Sequence, residues 1–100
     1  MPDIVLTLSD IRRIVKPIAE KYHIGELYVF GSFARNEATA ASDIDFLVFG
    51  GEDFRPSSVF AFAEEMRTIT GKDVDAFEIS EINRGSAFYE TVMRERVKVA

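Results

Sequence analysis

The chain has 100 residues, of which 47% are apolar, and a formal net charge of −5. That is enough for one hydrophobic core and too little for two, so residues 1–100 are expected to form a single domain. The acidic balance disfavours a polynucleotide ligand, because phosphate contacts need lysine and arginine, and the absence of cysteine excludes disulfides and thiolate metal sites.

The first ten residues, MPDIVLTLSD, lack a basic segment and a long apolar run, so they do not read as a secretory leader. No stretch approaches the roughly 18 apolar residues that span a bilayer. A soluble, cytoplasmic protein with no membrane partner is expected. Ser9 is in place to cap a first helix, in which Ile11, Ile14, Val15, Ile18 and Tyr22 recur at helical spacing. Pro17 falls inside that pattern and predicts a kink. The helix should end near Gly25. Leu27 to Phe30 reads as a first strand, stopped by Gly31, and Ser32 to Arg35 as the start of a short helix; Asn36 to Ser42 is a loop.

Ile44 to Phe49 is apolar on both faces, the mark of a central strand. Pro56-Ser57-Ser58 opens a second long helix with Val59, Phe62, Ala63, Met66 and Ile69 as its apolar stripe, and Gly71 closes it. Asp73 to Ile79 reads as a third strand. Ser86 to Glu95 reads as a helix with Phe88, Val92 and Met93 inward, and Val97 to Val99 as an edge strand. This order predicts an α/β (α+β) fold: a small mixed sheet with helices mainly on one face. Phe49 and Phe77 would then lie on the open face, where core burial competes with a partner or with homo- or hetero-oligomer formation.

The chemistry concentrates between Val29 and Val48. Residues i and i+2 on a strand share a face, so Asp43 and Asp45 project together with Cα atoms roughly 6.5–7 Å apart. Two carboxylates this close repel when ionised, and a divalent cation with a preference for oxygen ligands, such as Mg2+, relieves the conflict. Asp73 and Asp75 repeat the pattern on the third strand, and parity alone does not choose between them. If the strands are neighbours, three carboxylates can hold one or two Mg2+ ions for an in-line displacement at phosphorus. Gly31 and Ser32, at a strand-to-helix junction, would offer backbone N–H groups and a hydroxyl to a phosphate, with Arg35 one turn further on. No Walker A loop is present, since position 66, where its first glycine would stand, is methionine. The single histidine, His23, precedes a turn and reads as structural or solvated. Arg84 and Tyr89 read as surface or core edge.

Gly31-Ser32, ten residues, then Asp43-Ile44-Asp45 resembles the GS-x10-DxD signature of the polymerase-β-like nucleotidyltransferases. The fuller strings GSFAR and SDID are similar to the minimal nucleotidyltransferases that serve as MntA-type antitoxins beside HEPN ribonuclease toxins. The resemblance spans nearly the whole chain. It implies transfer of AMP from ATP, with the triphosphate on Gly31 and Ser32, magnesium on Asp43 and Asp45, and Asp75 as the third carboxylate that ligates metal or deprotonates the acceptor. The family's Val-Asp pair favours Asp75 over Asp73. Asn36 and Ala41 stand where the family often has glycine and proline. Asparagine tolerates a left-handed backbone; alanine at 41 implies a less rigid loop. The implied acceptor is a hydroxyl, tyrosine foremost, on a HEPN toxin. The alternative is a non-catalytic antitoxin that neutralises its toxin by occlusion.

Overall fold

The structure, a computed structural model, describes residues 5–100; residues 1–4, the start of the segment read above as lacking a leader, lie outside the described residues. Helix α1 spans Leu8–Lys21 and is capped by Thr7, not Ser9. The Asp10 N–H donates to the Thr7 Oγ1 at 3.0 Å and the Thr7 N–H donates to the Asp10 Oδ2 at 2.9 Å. The reciprocal cap decides the position: three residues after Thr7 stands an acceptor, whereas three residues after Ser9 stands Arg12, which has none to offer. Ile11, Val15 and Ile18 are buried as the spacing predicts, and Pro17 sits inside the helix on its exposed side. The helix stops well short of Gly25, because His23 adopts a left-handed φ of 57° and turns the chain into β1, Ile24–Phe30. His23 is therefore an exposed residue of the turn itself and not one that precedes it.

Strand β2 spans Ile44–Gly50, helix α2 Ser58–Thr70, strand β3 Val74–Glu78, helix α3 Ala87–Glu95 and strand β4 Val97–Lys98. A single 3-10 turn, Ile79–Glu81, ends β3 one residue before the expected boundary. The sheet order is β3-β2-β1-β4, with β2 central between an antiparallel β1 and a parallel β3. The parallel pair is joined by α2, as a crossover requires. Gly71 terminates α2 in the left-handed region at φ 69°. Ile69 does not join the α2 stripe and is 51% exposed. At 3.6 residues per turn it lies about 70° from the centre of the stripe formed by Val59, Phe62, Ala63 and Met66, at its margin.

Helices α1 and α2 cover one face of the sheet. Leu27, Val29, Ile44, Phe46, Val48 and Val74 pack there against Ile11, Val15, Ile18, Phe62 and Met66. The Phe46 and Phe62 rings meet edge to face at 5.0 Å. The opposite face carries Phe30 and Leu47 under Val92 of α3, with Phe49, Phe77, Tyr89 and Met93 half-buried around them. Much of the face expected to lie open is thus occupied by α3. Phe88, expected inward, rests on Phe30 and Phe77 yet stays 44% exposed. Among the described residues no helix is long and apolar enough to cross a membrane. Phe46→Ala empties a fully buried site at the centre of the main core. It is expected to lower unfolding free energy by about 3–5 kcal/mol, read from urea denaturation with unchanged m.

Candidate active site

The site gathers at one end of the sheet, where β1 ends and β2 begins. Asp45 is the second residue of β2. It pairs with Phe30 across the antiparallel ladder and with Asp75 across the parallel one. Asp43 stands two residues upstream, exposed, just before the strand. The apolar residues Ile44, Phe46 and Val48 point into the α1/α2 core, so Asp45 must face the other way, and Asp75 shares its face for the same reason beside the buried Val74. The register separates the two candidates that parity left equal. Asp75 lies directly beside Asp45, whereas Asp73 precedes β3 and its carbonyl accepts the Ile44 N–H at 3.0 Å.

Burial lifts the Asp45 carboxyl above the ordinary aspartate range, and the charges of Asp75 and Asp43 push it the same way; Arg35 opposes them. A divalent cation would relieve that repulsion, and an all-oxygen donor set suits Mg2+. Among the described residues no group of three His, Cys, Asp or Glu side chains converges closely enough to hold a metal unaided.

Gly31 ends β1 with φ 76°. A Cβ placed there would come within 2.6 Å of the Asp45 Oδ2, so this glycine provides both the turn and the space for the carboxylate. The expected helix from Ser32 is absent. Residues 31–36 form tight turns, held by Arg35 N–H to Gly31 C=O at 3.1 Å and Glu37 N–H to Ser32 C=O at 2.9 Å. Asn36 ends the coil after one turn with a φ of 60°, the left-handed backbone its side chain tolerates. The amides of Ser32, Phe33 and Ala34 find no acceptor among the described residues, like the first N–H groups of any helical turn. Phe33 is buried and roots the turn in the main core. Unpaired N–H groups of the kind found at a helix start are therefore present without the helix.

Arg35 sits at this turn, but its guanidinium is engaged. Nε donates to Glu37 at 2.9 Å and Nη1 to Glu95 of α3 at 3.0 Å. Sequence spacing gave no sign of Glu95, which is sixty residues away from Arg35. It also gave no sign of Lys72, whose Nζ donates to the carbonyls of Ala40 and Ser42 at 2.5 and 3.4 Å. Together with the Thr39 N–H donating to Ser42 Oγ at 2.8 Å, that ammonium pins the loop leading into Asp43. The loop with alanine at 41 is thus fastened by a long-range contact where a proline would have stiffened it locally. Arg84 is exposed in a turn and Tyr89 packs beside α3's core contacts, away from any described role at the site.

The family pattern described as the nucleotidyltransferase domain matches residues 11–99, from α1 to the last strand. The chain belongs to the nucleotidyltransferase family. It is 34% identical over 99 residues to the protein adenylyltransferase MntA of Thermococcus cleftensis, covering 95% of this chain and 98% of that one. It is 33% identical over 78 residues to a Methanocaldococcus jannaschii protein provisionally named a protein adenylyltransferase, with 78% and 84% coverage. A chain of a toxin-antitoxin crystal structure with AMP-PNP shares the fold at TM-score 0.74 and 15% identity, over 89% of this nucleotidyltransferase and 72% of that chain. A chain of the complex of a tri-AMPylated Shewanella oneidensis HEPN toxin with an MNT antitoxin shares it at 0.69 and 14%, over 94% and 72%.

Two outcomes follow from this geometry. Gly31→Ala should cost about 1–3 kcal/mol in urea denaturation, and less when Asp45 is already alanine, because the oxygen it strikes is gone. An equal cost in both backgrounds would show that the contact is not the cause. Because the folded-state pKa of Asp45 is raised, the folded state takes up its proton more readily than the unfolded one, and this residue's contribution to stability falls as pH rises through that range. Asp45→Asn should therefore raise Tm at pH 7. The gain should shrink as pH drops through the carboxylate range, where wild-type Asp45 is itself neutral.

Proposed function

We propose that this nucleotidyltransferase moves AMP from ATP to a hydroxyl on a partner protein, a tyrosine of a HEPN ribonuclease toxin, and acts in the cytoplasm as the antitoxin of that pair. The observation that carries the reading is the register of Asp45 beside Asp75, with Gly31 and the free amides of Ser32 to Ala34 against them. This joins a polyphosphate cradle to a carboxylate cluster at a single strand end. The relative from Thermococcus cleftensis, named a protein adenylyltransferase, supports the donor and the class of acceptor. The toxin-antitoxin neighbours support the partner.

In this reading the amides of Ser32 to Ala34 and the Ser32 hydroxyl hold the donor's phosphates. Asp43, Asp45 and Asp75 would hold Mg2+, which when bound neutralises charge on the triphosphate. Asp75 lies on the outer strand of the three that form the site, and it orients the acceptor hydroxyl and takes its proton. The acceptor oxygen bonds to the α-phosphorus, the bond from that phosphorus to the bridging oxygen breaks, and pyrophosphate leaves. Positioning and charge stabilisation supply most of the acceleration. The net charge of −5 argues against a nucleic acid as the acceptor. A phosphodiester added near a ribonuclease centre adds negative charge and bulk, and both oppose RNA binding.

Partner incubated with this protein, ATP and Mg2+ should gain mass in steps of about 329 Da, one AMP residue each. Asp43→Asn combined with Asp45→Asn should abolish both transfer and neutralisation while the circular dichroism spectrum is retained. Neutralisation that survives the double substitution would replace this reading with occlusion.

A further inference from the structure

We propose that Phe88 is the platform on which the base of the donor nucleotide stacks; this rests on the reading of the site as a nucleotide-transfer centre. Three phenylalanines meet directly inward of the carboxylates. Phe30 is the ladder partner of Asp45 on β1, and Phe77 follows Asp75 by two residues on the same face of β3. Phe88, from the first turn of α3, contacts both, at ring-centroid distances of 5.8 Å to Phe30 and 5.6 Å to Phe77, each edge to face. Phe30 and Phe77 are themselves 6.1 Å apart. The triangle is rooted in the sheet, because Phe30 is buried on Leu47 and Val92.

Phe88 differs from its two neighbours in being 44% exposed. Of the large apolar side chains that the described surface exposes, Phe60 and Phe88 are the aromatic ones, and Phe88 is the one with aromatic partners. Its backbone is fixed by the Ser86 cap, whose Oγ accepts the Tyr89 N–H at 3.0 Å. A ring held on two sides and free on the rest, beside a site that handles nucleotides, has the form of a stacking surface. The spacing agrees. A base is separated from its α-phosphate by one ribose, and the cluster runs from Phe30, directly across from Asp45, to Phe77, two residues or about 6.5–7 Å along β3 from Asp75.

The chain contains no tryptophan, so Phe88→Trp introduces a single indole at this position. Its fluorescence should be quenched by ATP and left unchanged by inorganic tripolyphosphate. By calorimetry Phe88→Ala should bind ATP about 5- to 150-fold more weakly than wild type. Phe88→Tyr should bind it normally, and tripolyphosphate affinity should be the same in all three. Phe88→Leu, which keeps apolar volume without a flat ring, carries the comparison if the alanine variant is unfolded, and it should show the same selective loss. If wild type binds ATP and neither variant is weakened, the platform is overturned while the wider reading stands. Equal losses of ATP and tripolyphosphate overturn it as a mere structural defect. Unchanged ATP affinity with lost transfer overturns it in favour of an acceptor contact. Failure of wild type to bind ATP overturns both the platform and the function it rests on.

Discussion

The parallel pairing of β2 with β3 is the constraint on which the rest depends. It places Asp45 beside Asp75 without any contact between the two carboxylates to hold them there. What holds them is apolar: Ile44, Phe46, Val48 and Val74 turn into the α1/α2 core, and the intervening residues must face the opposite side. A slip of one residue would carry every one of these groups to the wrong face. The α2 crossover forbids the slip, because its own stripe, from Val59 to Met66, is buried against the same strands.

That arrangement brings like charges together. Half-buried Asp45 faces the fields of Asp75 and Asp43, with Arg35 as partial compensation, and Arg35 is itself shared with Glu37 and Glu95. The folded chain accepts an unfavourable carboxylate at the proposed site, and the apolar packing behind it absorbs the cost. Glu95 also ties the last turn of α3 to the turn after β1, so the helix that roofs the aromatic cluster and the turn that carries the proposed phosphate donors are mechanically joined.

Much of the site was legible because its determinants are local. The alternation around Asp45 and the glycine at 31 depend on near neighbours, and the GS-x10-DxD spacing also pointed to the family. The choice of Asp75 over Asp73 rests on resemblance, and the register places Asp75, not Asp73, beside Asp45. The misses were of a different kind. A cap at Thr7 is decided by which residue stands three places on, and Ser9 fails that condition. The helix after Gly31 was expected from its strand-to-helix look, but Asn36 takes the left-handed region and ends it after one turn. Glu95 with Arg35, Lys72 with the Ala40 carbonyl, and α3 lying over Phe77 all join residues far apart in the chain. No periodicity carries that information.

Gly31 and Asn36 bracket one turn, and both adopt a left-handed backbone, at 76° and 60°. They are not equivalent. At 36 the only demand is on the dihedral angle, and asparagine satisfies it. At 31 a second demand is made by the Asp45 Oδ2, which leaves no room for a first side-chain carbon. Asparagine and aspartate, the residues that otherwise substitute for glycine in such turns, meet the first demand, but at 31 they also require the Asp45 carboxylate to move aside. What position 31 can hold is therefore coupled to the strand next door, and a change at Asp45 relaxes it.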